Sequence, residues 1–144
     1  MRICGDYRLT VNQACQVNPY PVPRIEDLFA TLGGGTIFSK LDMKNAYNQL
    51  LLDEESKKLT TINTHRGLFQ YNRLCFGIAS APAIFQKTMD ELLRGIPGVA
   101  VFLDDILVSG ANPAEHELRL CEVLSRLEQH GLKLHSTKCA IGVK

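Results

Sequence analysis

Asp104 and Asp105 are adjacent carboxylates set between two apolar runs, Val99-Ala100-Val101-Phe102-Leu103 before them and Ile106-Leu107-Val108 after them. In such a setting they repel each other and lose hydration, which costs free energy unless something offsets it. Two readings account for the pair. Asp tolerates turn backbone, so the two residues can be no more than the bend of a hairpin. Alternatively they hold a cation. Asp42 ends another apolar stretch, Ile37-Phe38-Ser39-Lys40-Leu41, and carboxylates on neighbouring rigid strands are the hard oxygen donors that Mg²⁺ takes while keeping room for water and phosphate. Two such ions about 3.5–4 Å apart stabilise both the attacking and the leaving oxygen of an in-line phosphoryl displacement. That chemistry needs positioning and charge neutralisation more than a nucleophilic side chain. Residue types and spacing alone reach a candidate divalent-metal site and no further.

For Asp42 to meet Asp104, the strand over 36–42 must lie beside the acidic hairpin. The rest of the pattern allows this. Ile25, Leu28, Phe29 and Leu32 recur at helical spacing and Gly33-Gly34-Gly35 stops that helix. Residues 45–52 are ambiguous, 53–58 read as one polar helical turn, and 59–63 and 68–74 read as strands around a turn at His65-Arg66-Gly67. The clearest helix runs over 80–94, with Ser80 as cap, Pro82 in its first turn and Gly95 after its end. A second long helix starts at the cap Asn112, with Pro113 first and Glu115 three residues after the cap; its expected inward face is Leu118, Cys121, Leu124 and Leu127. Residues 132–143 hold one or two short strands. With the insertion after residue 42 set aside, the order is β-α-β-β-α-β. This predicts an α+β, ferredoxin-like antiparallel sheet with helices on one face and the other face open for a site.

Bulk properties bound the rest. The chain has 144 residues, 45% of them hydrophobic and 22% charged, an ordinary globular composition large enough for a real core. The formal net charge of +1 gives no general basic excess, so a nucleic-acid surface has to be confined to one face or supplied by segments outside these residues. The five cysteines lack zinc-ligand spacing and read as free thiols in a reducing compartment. No apolar stretch approaches the length of a membrane span. The expected location is therefore intracellular, not secreted and not in a membrane.

Five segments carry a resemblance. They are Arg2-Ile3-Cys4-Gly5-Asp6-Tyr7-Arg8, Phe38-Ser39-Lys40-Leu41-Asp42-Met43-Lys44-Asn45-Ala46-Tyr47, Phe76-Gly77-Ile78-Ala79-Ser80-Ala81-Pro82-Ala83-Ile84-Phe85-Gln86, Phe102-Leu103-Asp104-Asp105-Ile106-Leu107-Val108, and His130-Gly131-Leu132-Lys133-Leu134 leading to Lys138-Cys139. In this order and spacing the chain closely resembles the reverse transcriptase of gypsy-type LTR retrotransposons, over nearly its whole length. The resemblance implies an RNA-directed DNA polymerase that joins dNTPs to a primer on an RNA or DNA template with two Mg²⁺ or Mn²⁺ ions. It implies a catalytic triad of Asp42, Asp104 and Asp105, with Asp42, Asp104 and the Met43 carbonyl on the metals and Asp105 as supporting acid. Tyr47 matches the aromatic gate that excludes a ribose 2′-OH, and the amides of Asn45 and Ala46 meet the triphosphate. Arg2 matches a phosphate-contacting arginine, Phe76 and Gly77 line the nucleotide, Phe102 and Leu103 lie near the primer end, and Lys138 matches a proton donor to the leaving pyrophosphate.

The same resemblance divides the chain into fingers, 1–17 and about 48–75, and palm, about 18–47 and 76–144. It places thumb, connection and RNase H outside residues 1–144, and names as partners the template–primer duplex, dNTP and the remaining polyprotein domains, integrase included. The expected setting is a cytoplasmic retroelement particle or the nucleus. Two residues depart from the family pattern: Phe102 stands where tyrosine is usual and Cys75 where proline is usual. The alternative is a truncated, non-catalytic remnant that serves at most as a nucleic-acid or protein binding module. Tyr47 speaks against a third class, the RNA-making palm enzymes, which need room for the 2′-OH.

Overall fold

The structure, a computed structural model, describes residues 4–15, 20–21 and 23–144. The chain forms two compact units, 1–20 with 45–85 and 21–44 with 86–144. Arg2 lies outside the described residues, as do positions 18, 19 and 22 of the proline-rich segment.

The second unit is built on a four-stranded antiparallel sheet. Its strands are β1 (Ile37–Asp42), β4 (Val99–Phe102), β5 (Asp105–Gly110) and β6 (Ala140–Val143), in the order β4-β5-β1-β6. Among these four strands this is the 2-3-1-4 order of a ferredoxin-like sheet, as the β-α-β-β-α-β reading requires. Strand β1 alternates cleanly: Ile37, Ser39 and Leu41 are buried, while Phe38 and Lys40 are exposed and Asp42 is half-buried. Period-two burial of this kind sends alternate residues to opposite faces. On the buried face lies α5 (Pro113–Gln129), capped by the Asn112 side chain, which accepts from the Glu115 N–H at 3.0 Å. The shorter α2 (Ile25–Leu32) packs near β4 and β5.

Helix α5 corrects one expectation. Its buried residues are His116, Val123 and Leu127, whereas Leu118 is 73% exposed and Cys121 and Leu124 also face solvent. At 100° per residue, positions 116, 123 and 127 stay within about 20° of one line, while 118, 121 and 124 drift steadily around the helix. The polar His116 is admitted to the core because its Nε2 lies 2.9 Å from the buried Ser39 Oγ, which also accepts from the Gly142 N–H at 3.0 Å. One helix end is closed by a side chain: Arg126 Nη1 donates to the carbonyls of Leu92 and Arg94 at 3.1 and 2.8 Å, just where α4 (Ala81–Leu92) stops. Those carbonyls lack helical partners and would otherwise be left to water.

The first unit holds α1 (Val11–Ala14), a 3-10 turn (Ala46–Gln49), α3 (Glu54–Leu59), the hairpin of β2 (Ile62–Thr64) and β3 (Gly67–Phe69), and the start of α4. Its core gathers Tyr7, Ala46, Leu74, Cys75, Ala81 and Phe85. The Tyr7 hydroxyl donates to the Thr60 carbonyl at 2.8 Å, and Cys75 Sγ sits 3.6 Å from that hydroxyl. Burial pushes the Cys75 thiol above its ordinary range. All five cysteines are free. No described helix is long and apolar enough to cross a membrane.

Candidate active site

The acidic residues converge at one end of the four-stranded sheet. Asp42 and Asp105 are direct cross-strand partners in the β1–β5 register, and Phe102 pairs with Asp105 across β4–β5. Phe102, Asp105 and Asp42 thus form one rung on one face. Asp104 lies beside them in the two-residue turn, and its carbonyl accepts from the Met43 N–H at 2.9 Å. One carboxylate oxygen of Asp104, Oδ1, is buried and takes no hydrogen bond, although the residue is otherwise engaged. The segment before Lys138 docks on the same end: the His135 N–H donates to the Asp42 carbonyl at 2.8 Å, and Met43 bridges to Leu134. Lys138 closes the 3-10 turn Ser136–Lys138 with its side chain exposed.

The turn itself is strained. Leu103 has φ +55°, a left-handed conformation that costs an ordinary L-residue about 1–2 kcal/mol. Among described non-glycine residues only Asn45, at φ +53°, shares that sign, and Asn tolerates it. Leu103→Gly is expected to stabilise the protein by about 1 kcal/mol, since glycine adopts this φ freely and Leu103 is half exposed. A shift of the urea midpoint to higher concentration checks this; a lower midpoint would mean that the leucine side chain matters more than the strain.

Lys40 is the residue that sequence reasoning missed. It lies two positions before Asp42 on the same face, and its Nζ is 2.9 Å from Asp105 Oδ2. This hydrogen bond holds the ammonium above its ordinary pKa, with the charges of Asp105 and then Asp42 adding to the effect. The signal was the alternation of Phe38, Lys40 and Asp42 along β1.

In the first unit, Tyr47 packs against two rings, with centroids 5.0 Å from Phe76 and 5.6 Å, edge-on, from Phe85. Asn45 stands in left-handed backbone immediately before the 3-10 turn that carries Ala46 and Tyr47, without a side-chain cap hydrogen bond. Asn12 clamps the next segment: its Nδ2 donates to the Gly77 carbonyl at 2.9 Å and its Oδ1 accepts from the Ala79 N–H at 2.8 Å. Gly77 has φ +102°, and a Cβ there would collide with the Gly5 carbonyl oxygen, so glycine is required by backbone geometry alone.

The donor set suits a hard divalent ion in kind. Among the described residues no three His, Cys, Asp or Glu side chains form a ready metal cage, but Mg²⁺ is commonly held by one or two carboxylates together with substrate phosphates, and the Asp42–Asp105 rung with neighbouring Asp104 offers that.

A family model described as reverse transcriptase (RNA-dependent DNA polymerase) matches residues 2–144. An uncharacterized protein of Caenorhabditis elegans is 44% identical over 100% of this chain, and the retrovirus-related Pol polyprotein from transposon 412 of Drosophila melanogaster is 36% identical over 96% of it. The chain spans only 11% of either relative's length. The foamy viral protease-reverse transcriptase is similar in structure. Solved with double-stranded DNA, it has a TM-score of 0.88 and 26% identity over 97% of this chain and 25% of that one. Solved with an RNA/DNA hybrid, it has a TM-score of 0.85 and 26% identity over 94% and 18%.

Proposed function

Because the chain belongs to the reverse transcriptase (RNA-dependent DNA polymerase) family, we propose that it is the palm and partial fingers of a gypsy-type retroelement polymerase that extends a DNA primer on an RNA or DNA template. The observation that carries this reading is the single rung joining Asp42 to Asp105, with Asp104 fastened beside it through Met43.

In this proposal Asp42 and Asp104 are metal ligands together with the Met43 carbonyl, and Asp105 supports them. Two bound Mg²⁺ or Mn²⁺ ions would supply charge neutralisation and alignment for phosphoryl transfer. The protein's own part is to hold the carboxylates on rigid strands, so that little reorganisation is needed at the moment of reaction. Phe102 and Leu103 lie where the primer end belongs, and Asn45, Ala46, Phe76 and Gly77 serve the nucleotide. Arg2 meets phosphate and Lys138 donates a proton to the leaving pyrophosphate. Residues 1–17 and about 48–75 are assigned to the fingers, and about 18–47 and 76–144 to the palm. The template–primer duplex, dNTP and the thumb, RNase H and integrase of a longer polyprotein are the partners, inside the cell, in a retroelement particle or the nucleus.

Primer extension on poly(rA)/oligo(dT) with Mg²⁺ or Mn²⁺ tests the proposal. Templated extension that disappears in Asp104→Asn supports it. No extension, even when the chain is joined to a thumb, would favour the non-catalytic remnant.

Tyr47 gives a second test. The ring is braced by Phe76 and Phe85, so its position is fixed from two sides. Tyr47→Val is expected to raise ribonucleotide use relative to deoxyribonucleotide use by about 100-fold, the scale on which a shaped pocket discriminates. The ratio of kcat/KM for rNTP and dNTP reads this, and an unchanged ratio rejects the gate role.

A further inference from the structure

We propose that Lys40 is a positioning residue of the carboxylate site: its ammonium sits on Asp105 next to the metal ligands, keeping the acidic rung assembled before any metal arrives and then weakening the hold on divalent ions. This rests on the metal-site reading given above.

Asp42 and Asp105 stand directly opposite each other on adjacent strands. Like charges in that relation destabilise a sheet. Lys40 pairs in register with Leu107, so it reaches Asp105 along the diagonal of the same face. Cross-strand diagonal neighbours lie within reach of a long side chain. The contact is short, 2.9 Å, and Asp105 is more enclosed than Lys40, with side-chain exposures of 29% and 50%. The carboxylate is therefore held on the rigid side of the pair, and the lysine keeps the freedom to swing outward on its flexible stem.

A cation drawn to Asp42 and Asp104 meets an ammonium already held on the adjoining Asp105 Oδ2. The two positive charges repel across the rung. Lys40 should thus stabilise the metal-free protein and lower its affinity for divalent ions, two effects of opposite sign from one side chain. A lysine with a purely structural role would produce the first effect without the second.

The test is calorimetric titration of the full chain with Mn²⁺ alone, with thermal unfolding in EDTA and in saturating Mn²⁺, for the parent, Lys40→Met and Lys40→Arg. Lys40→Met is expected to bind Mn²⁺ about tenfold more tightly, the scale set by removing one unit charge at close range in a partly solvated site. It should melt below the parent in EDTA, with the gap closing in Mn²⁺. Lys40→Arg keeps the charge and should stay within about twofold of the parent. If Lys40→Met binds Mn²⁺ equally or more weakly while the parent binds it, the positioning role is overturned and the metal site stands. If the parent binds no more Mn²⁺ than the double variant Asp42→Asn/Asp104→Asn, the metal reading fails and this inference with it.

Discussion

Replacing Asp42 by asparagine is expected to slow primer extension by about three orders of magnitude while leaving the protein as stable as the parent or slightly more so. The rate term follows from the proposed ligand role. Metal stabilisation of transition-state charge amounts to several kcal/mol, and each 1.36 kcal/mol is tenfold in rate. The stability term follows from geometry alone. Asp42 faces Asp105 across the β1–β5 pair, and opposing like charges cost on the order of 0.2–1 kcal/mol. Asparagine keeps the shape and removes one charge. Single-turnover extension and urea unfolding on the same preparation separate the two terms. Extension within tenfold of the parent would remove Asp42 from the chemistry. A large fall in stability would mean that the carboxylate serves the fold instead.

Phe85→Ala should be the most damaging core substitution in the first unit. Phe85 is among the largest fully buried side chains and makes an edge-type ring contact with Tyr47. Truncating a buried phenylalanine to alanine costs about 3–5 kcal/mol through lost burial and the cavity left behind. Against a total stability of roughly 5–15 kcal/mol for a domain, that removes a large share. Phe85→Leu retains most of the volume and should cost no more than half as much, about 1.5 kcal/mol. Chemical unfolding of both variants checks the ordering; equal losses would mean that ring shape matters more than filled volume. Tyr47 would lose one of its two braces, so any folded Phe85→Ala protein should also admit ribonucleotides more readily.

The sequence made the fold legible wherever an element announced itself by period or cap. Asn112 with Glu115 marked the start of α5, and the apolar runs on either side of Asp104-Asp105 marked a hairpin. What stayed hidden depended on partners far along the chain. His116 was not legible as a core residue because its burial is licensed by Ser39 Oγ, which belongs to another element. The phase of α5 was misread: Leu118, Cys121 and Leu124 share one arc of the helix, but that arc is centred away from the line of His116, Val123 and Leu127 that faces the core. Lys40 escaped attention because its reach to Asp105 is a matter of strand register, and a slip of one residue would have turned it to the opposite face. The requirement for glycine at position 77 likewise depends on the Gly5 carbonyl, which no local pattern reveals.

The placement of β1 between β5 and β6 bears on how the molecule comes into being. A chain made from its N-terminus releases β1 long before either neighbour exists, and domains generally fold as units once their parts are present. Until then Ile37, Phe38 and Leu41 belong to a strand with two bare edges, the kind of surface that pairs with the wrong chain. Closing the sheet requires loops spanning much of the chain, so acquisition should be slow as well as late. The rung that gathers the acids is then among the last features to form, and its amides, such as that of Met43, should exchange with solvent hydrogen only when the whole sheet opens.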